Sequence, residues 1–250
     1  KDLDFNIKKG IDEAAIDVIN GSTQVDGDAG YVADDTEELD AKVNNMVDAS
    51  YEARILNAIH ELKENSSRYL SDDGLRILSP KFLEIKNNIV DPAKQGKHLF
   101  YSQFRTLEGI EIMKMVLEQN GYVQFKINKN SSGQWQLALP DSVNQFPMFA
   151  LYTGTENAEE KEIIRNIFND EWNLIPVSLR SQLEKIEGNN IFGNLIKVFM
   201  ITASGAEGIT LKNVRYVHIA EPYWHPVRRE QVIGRANRIC SHSTLPPDLR

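Results

Sequence analysis

A single cysteine, Cys240, occurs in 250 residues, so no internal disulfide can form within the chain, and the composition suits a reducing compartment. Cys240 has no partner at zinc-finger spacing and the five histidines are dispersed, so no metal site is expected. His98 and His218 fall in apolar strand-like runs and read as satisfied core histidines. No run of about 18 apolar residues is present, which leaves no candidate membrane span, and the N-terminus lacks a signal-peptide core. An intracellular protein is the expectation. Internal repeats and low-complexity tracts are missing as well.

The net charge of −8 is not spread evenly. Residues 1–50 hold 13 acidic side chains against 4 lysines, a balance of −9, so the other 200 residues sit near +1. Gly21-Ser-Thr-Gln-Val-Asp-Gly-Asp-Ala-Gly30 and Asp34-Asp-Thr-Glu-Glu38 read as a solvated linker or insertion; a lure for a basic partner is the alternative. An amphipathic helix is predicted from Ser50 to about Arg68, with Ile55, Leu56, Ile59 and Leu62 at helical spacing. A second follows Ser79-Pro80, where Ser79 can cap and Pro80 can take the first turn. The predicted division is an acidic, helical segment over 1–74 and one domain over 75–250.

What is present most tellingly is Gln231-Val-Ile-Gly-Arg-Ala-Asn-Arg238. On a helix, Gln231, Arg235 and Arg238 fall within roughly 60° of one another, with Val232, Ile233, Ala236 and Ile239 on another face. Neither guanidinium finds a carboxylate one turn away, so the pair suits an external polyanion, a phosphate chain above all. An amphipathic helix with solvated arginines is the plainer reading of the same pattern.

Upstream, Lys197-Val-Phe-Met-Ile-Thr202 reads as a buried strand opening into Ala203-Ser-Gly-Ala-Glu-Gly208. Arg215-Tyr-Val-His-Ile-Ala220 is another strand, Glu221-Pro-Tyr-Trp-His-Pro226 interrupts, and Pro226 can begin the arginine-bearing helix. Gly96 to Phe104 reads as a strand with a polar turn, followed by a helix from about Thr106 to Gln119 that stops at Asn120-Gly121. Phe149-Ala-Leu-Tyr-Thr-Gly154 is a further strand and turn, and Asn157 to Asn169 a helix burying Ile163, Ile164, Ile167 and Phe168. Between them, Gly121–Ile127 and Gln134–Leu139 read as the arms of a β-hairpin turning through Asn128-Lys-Asn-Ser-Ser-Gly133. Its Lys126, Lys129 and Trp135 can brace a nucleic-acid strand, or simply decorate a sheet edge.

These segments resemble, in order, motifs IV, V and VI of the C-terminal, second RecA-like lobe of superfamily 2 helicases and translocases. Motif IV corresponds to Gly96–Phe104, motif V to Ile201–Leu211 and motif VI to Gln231–Arg238; Thr153, Gly154, Arg165, Phe168 and Asn169 match the pattern between them. Tyr223-Trp-His-Pro226 is similar to the branch containing chromatin-remodelling ATPases. Ser-Gly-Ala-Glu-Gly-Ile, Glu-Pro-Tyr-Trp and Ile239-Cys-Ser-His242 resemble the helicase-type ATPases of large nucleocytoplasmic DNA viruses, the poxvirus kind included.

The resemblance implies an α/β, RecA-like, mostly parallel sheet flanked by helices, with the hairpin as an insertion. It implies ATP as cofactor, with Mg2+ held mainly by a first lobe, and DNA or RNA as partner. Gln231, Arg235 and Arg238 become catalytic residues, the arginines as fingers on the γ-phosphate. Gly205, Glu207 and Gly208 become ATP-binding residues, although Glu207 also reads as a plain loop acceptor. Ser102, Gln103, Thr153, Gly154, Thr202 and Ser204 become contacts to the nucleic-acid backbone, each of them otherwise an ordinary turn former. No Gly-x-x-x-x-Gly-Lys-Ser/Thr loop is found, so the chain is expected to be the second lobe alone, inactive by itself and partnered by an N-terminal RecA-like lobe. A non-catalytic nucleic-acid or protein-binding module that kept this lobe is the rival. The viral branch implies a viral factory or virion as location.

Overall fold

The computed structural model describes residues 53–107, 109–139, 147–153, 157–203, 208–221 and 226–249. The chain divides into two compact units, Lys1–Glu64 and Asn65–Arg250. In the first, residues 53–64 are helical, with Leu56 exposed at 66%. The helix expected to continue to Arg68 ends there, and a separate short helix follows. Both acidic stretches of the sequence lie outside the described residues.

The second unit opens with helices α1 (Ser66–Tyr69), α2 (Asp72–Leu78) and α3 (Pro80–Val90). Leu75, the expected domain start, is already buried within it. The Ser79 hydroxyl accepts from the Phe82 N–H and Pro80 occupies the first turn of α3, as its sequence predicts. Phe82, Ile85 and Ile89 form the buried side of this helix.

Five strands build the sheet: β1 (Lys97–Tyr101), β2 (Val123–Gln124), β5 (Met148–Tyr152), β6 (Ile196–Ile201) and β7 (Val214–Ile219), in the order β2-β5-β6-β1-β7. Every pairing in it is parallel. Strand β1, held between β6 and β7, is buried at all five positions, so its apolar residues Leu99, Phe100 and Tyr101 follow one another without alternation and Lys97 and His98 are enclosed with them. Leu99, Tyr101, Phe199 and Ile201 point to one face, where α5 (Ala158–Phe168), α6 (Val177–Leu183) and α7 (Pro226–Ala236) supply Ile164, Ile167, Leu179, Leu183 and Val232. Phe100 points to the other, where Phe82 of α3 meets it at 6.2 Å between ring centres. Helix α4 (Ile110–Gln119) packs beside α3 and ends at Gly121, whose φ of 81° is the left-handed geometry expected there. The predicted α/β fold of RecA-like type, a parallel sheet flanked by helices, is what the chain adopts.

The hairpin differs in detail from its sequence reading. Val123 and Gln124 do not join it; they pair with Met148 and Phe149 as the edge strand of the main sheet. The hairpin arms are β3 (Ile127–Lys129) and β4 (Trp135–Leu137), with Asn130 closing the turn through its side-chain oxygen to the Ser132 and Gln134 N–H groups. The alternating pattern of Gly121–Ile127 therefore served two sheets, and a sequence period of two cannot tell which one a strand joins.

His98 and His218 are adjacent on β1 and β7. Their ring nitrogens lie 2.9 Å apart, and His98 stacks on Tyr216 at 4.6 Å. The satisfied histidine expected at His98 is only half realised, because its Nε2 is buried without a hydrogen-bond partner among the described residues. Burial, then the neighbouring His218 and Lys197, pushes the His98 pKa down to about 3; burial, then Lys94, pushes His218 down to about 4. Unfolded histidine takes up a proton near its ordinary value of 6.5, while these two stay neutral to about 3 and about 4. Stability is thus fully present above about 6.5 and falls as the pH drops from there toward 4. Melting temperature measured from pH 7.5 to 4 is expected to decline more steeply for the native chain than for His98→Phe, which keeps the stacking and cannot protonate. Parallel curves would show that the pair does not control the acid limb.

Candidate functional site

The register of the sheet aligns the ends of four strands: Tyr101 faces Ile201 and Ile219, and Tyr152 faces Ile201. The residues that follow, Thr153, Thr202, Ser102 and Ala220, therefore form a row along the carboxyl edge, the side where open α/β sheets bind ligands. Thr153, Thr202 and Ser102 are nearly inaccessible. Ser102 in particular is engaged inward. Its hydroxyl lies 2.7 Å from the Glu221 carboxylate and the Gln103 N–H donates to the same carboxylate at 2.9 Å. Gln103 is half-buried, and its side-chain oxygen accepts from Arg228 of α7 at 3.0 Å. Gly109 packs so closely under this turn that a Cβ there would sit 2.1 Å from both the Ser102 hydroxyl and the Phe104 carbonyl. Gly154 and Ser204 lie outside the described residues.

A second cluster forms where the loop from β6 to β7 meets the end of α7. The Leu211 N–H donates to the Arg235 carbonyl at 3.0 Å, and the Arg238 guanidinium donates to the Thr210 hydroxyl at 2.7 Å. Gly208 enters this loop with φ 72°, a conformation that favours glycine. Gly205 and Glu207 lie outside the described residues. Gln231 is exposed, whereas Arg235 is half-buried with its Nε enclosed and without a hydrogen-bond partner among the described residues. Gly234, one residue earlier, has nothing within 4 Å of where a Cβ would point.

The single helical stripe expected from Gln231 to Arg238 requires correction. Helix α7 ends at Ala236, and Arg238 lies beyond it, held by Thr210 rather than by helical periodicity. Ile239 does not join the apolar face; it is 97% exposed. The cause is tertiary. The Ser241 hydroxyl takes the Ala236 carbonyl, Cys240 adopts φ 63°, and the chain turns back so that the Asn213 N–H reaches the Ser241 carbonyl. Gln231 and Arg235 still share one side of the helix, and Arg235 and Arg238 are both tied to the loop residues 210 and 211.

Residues 136–240 match the helicase conserved C-terminal domain. This part of the chain is a helicase C-terminal domain. The match contains both the 208–211 loop and α7. A protein of Acanthamoeba polyphaga mimivirus named as an ATP-dependent RNA helicase is 31% identical over 221 residues, 82% of this chain and 23% of the viral protein. The termination factor NPH-I homolog of African swine fever virus is 29% identical over 246 residues, 94% of this chain and 32% of that protein. A killer-plasmid helicase of Kluyveromyces lactis is 28% identical over 159 residues, 64% of this chain and 21% of its own length. The chain thus spans about a quarter to a third of the first two of these relatives. No solved structure shows significant similarity to it. No described helix of the helicase domain or its surroundings is long and apolar enough to cross a membrane.

The hairpin of the helicase domain is turned onto its own helices. Lys129 and the Trp135 indole both bond Glu159 at the start of α5, at 2.9 and 3.0 Å, and Lys129 lies 4.8 Å from the indole centre. Those two bonds, Lys129 first, hold the Glu159 carboxyl below its ordinary pKa. Sequence reading had not singled out Glu221, Arg228 or Thr210. Glu221 had a signal, an acid placed directly after an apolar strand at the carboxyl edge, but its partners are more than 100 residues away.

Asn169 ties the helicase domain together from the far side of the loop. Its buried amide donates to the Thr210 carbonyl at 3.0 Å and accepts from the Lys212 N–H at 2.9 Å. Asn169→Ala is expected to cost about 2 kcal/mol, because both backbone groups lose their partner. Urea unfolding of the chain measures it. Asn169→Asp should be less damaging, since it keeps the acceptor for Lys212; a loss under about 0.5 kcal/mol for the alanine variant would refute this role.

Proposed function

We propose that this chain is the second lobe of an ATP-dependent helicase or translocase, closing over nucleotide against an N-terminal RecA-like lobe of the same protein. The observation that carries the reading is the Arg235 Nε, enclosed and unpartnered beside the 208–211 loop. A buried guanidinium N–H without an acceptor is costly, and a shift of the half-buried side chain onto a phosphate oxygen presented from outside removes that cost. Gly234 supports the same reading. Glycine inside a helix is unfavourable by about 1 kcal/mol relative to alanine, and no packing among the described residues requires it here. Close approach of an external group supplies the requirement.

In this reading Arg235 and Arg238 meet the γ-phosphate as its charge builds during hydrolysis, and Gln231 orients that phosphate or the attacking water. Gly205, Glu207 and Gly208 contact the nucleotide. Mg2+, which neutralises phosphate charge when bound, is held by the first lobe; among the described residues no cluster of three or more histidine, cysteine or acidic side chains exists that could bind it. DNA or RNA runs along the carboxyl edge past Gln103, Gly154 and Ser204, touched through backbone N–H groups and short side chains without sequence readout, over a floor formed by the enclosed Thr153 and Thr202. Ser102 contributes through its place in the turn, its hydroxyl being committed to Glu221. Translocation without strand separation is the favoured variant, because the hairpin's cation and ring are engaged by Glu159 and a relative is named as a termination factor. The rival non-catalytic module predicts no ATP turnover in the full-length protein.

In the full-length protein, Arg235→Ala and Arg238→Ala are each expected to lower ATP turnover at least about tenfold, since such a finger is worth on the order of a thousandfold in related systems. Steady-state ATPase assays with a thermal melt on each variant check this. Normal hydrolysis by either folded variant, or loss of activity that merely tracks unfolding, removes that arginine from the mechanism. Residues 1–250 alone are expected to hydrolyse no ATP above background, with or without nucleic acid.

A further inference from the structure

Glu221 is absent from every role assigned so far, yet it occupies the junction of three segments. It follows β7 directly, its carboxylate receives the Ser102 hydroxyl and the Gln103 N–H, and Gln103 in turn receives Arg228 from the first turn of α7. Burial raises the Glu221 pKa, against the pull of the Ser102 and Gln103 bonds and of Lys81. Such a carboxylate has few ways to move without losing partners. Beside it lies a cleft of about 730 Å³ bordered by Lys81, Tyr101, His218 and Arg229.

We propose that Glu221 is a positioning residue that couples occupancy of the nucleic-acid edge at Gln103 to the placement of α7, and with it of Arg235, through the relay Glu221–Gln103–Arg228. The inference rests on the reading of this chain as the second lobe of a nucleic-acid-dependent ATPase. Glu221 locks the backbone of the turn; Gln103 is then the only residue of the pair that presents a side chain to both the edge and α7. A phosphate drawn onto the exposed side of Gln103 pulls on the Arg228 bond, and Arg228 lies two helical turns from Arg235 on the same rigid helix. Coupling of this kind passes through discrete bonded elements.

Hydrogen-bond chemistry separates geometry from charge. In Glu221→Gln the amide oxygen keeps the Gln103 N–H, and the amide nitrogen donates to Ser102, whose hydroxyl then donates to the Phe104 carbonyl 3.0 Å away. The relay survives without its charge. Glu221→Ala removes it.

The test uses the full-length protein with single-stranded and duplex DNA and RNA as probes, reading the ratio of nucleic-acid-stimulated to unstimulated ATPase and the nucleic-acid concentration at half-maximal stimulation. Glu221→Ala is expected to lower the ratio by about fivefold or more, the lower range of measured site-to-site coupling, while Glu221→Gln stays within about twofold of native. Arg228→Ala should show the same drop, and the double variant should be no worse than the poorer single, as members of one relay behave. Full stimulation of Glu221→Ala, or a Gln variant as impaired as the Ala variant, overturns the proposal. If Glu221→Ala does not fold, Arg228→Ala on the helix surface decides alone, and normal stimulation there overturns it equally. Arg235→Ala, assayed alongside, separates the two readings. Normal turnover by that variant sinks the ATPase assignment, whereas its loss together with intact stimulation in Arg228→Ala sinks only the coupling.

Discussion

Everything α7 can present to a ligand depends on the seam between its carboxyl end and the loop that enters β7. Four backbone and side-chain bonds make that seam: Leu211 to Arg235, Asn213 to Ser241, Arg238 to Thr210 and Ser241 to Ala236. Asn169 grips the loop from the opposite side, and His242 reaches the Val214 carbonyl at 2.7 Å. A helix of eleven residues is marginal on its own, so its direction is set by these tertiary bonds and by Val232 and Ala236 in the core. Arg235 near the end of the helix and Arg238 just beyond it are therefore both held by the loop that enters β7.

The elements legible in the sequence are those governed by local rules. Ser79-Pro80, Asn120-Gly121, Asn157 and Pro226 mark helix ends as the chemistry of capping demands, and the unbroken apolar runs Leu99–Tyr101 in β1 and Val198–Ile201 in β6 announce burial on both faces. The carboxyl-edge row was legible too, as a set of short polar residues after apolar runs. What could not be read depends on partners far away in the chain. The end of α7 at Ala236 is decided by Ser241, the recruitment of Val123 into the main sheet by Met148, and the inward turn of the Ser102 hydroxyl by Glu221. The hairpin's lysine and tryptophan look available in sequence and prove to be bonded to Glu159, because an acid at the first turn of α5 comes within reach only once the sheet has formed.

Buried polarity in this domain divides into two kinds. Lys97, entirely enclosed, is satisfied by the Phe168 and Lys212 carbonyls, and burial, against the pull of Asp170 and Glu171, lowers its pKa to about 7. It ties the start of β1 to the end of α5 and needs nothing from outside. Arg235 is the opposite case, a cation whose enclosed N–H has no acceptor among the described residues. The first kind of group holds a fold together; the second lacks the acceptor that would satisfy it, and it sits beside the 208–211 loop.

The turn that follows α7 leaves Ile239 and Cys240 exposed, one and two residues beyond Arg238. Cys240 is the one thiol in these 250 residues, is exposed, and belongs to a left-handed bend next to Ser241, which is bonded into the seam. A fluorophore or spin label attached there reports from within a few residues of the guanidiniums without altering any of them. The chain thus comes with a built-in observation post beside Arg235 and Arg238, from which the proposed closure over nucleotide can be watched.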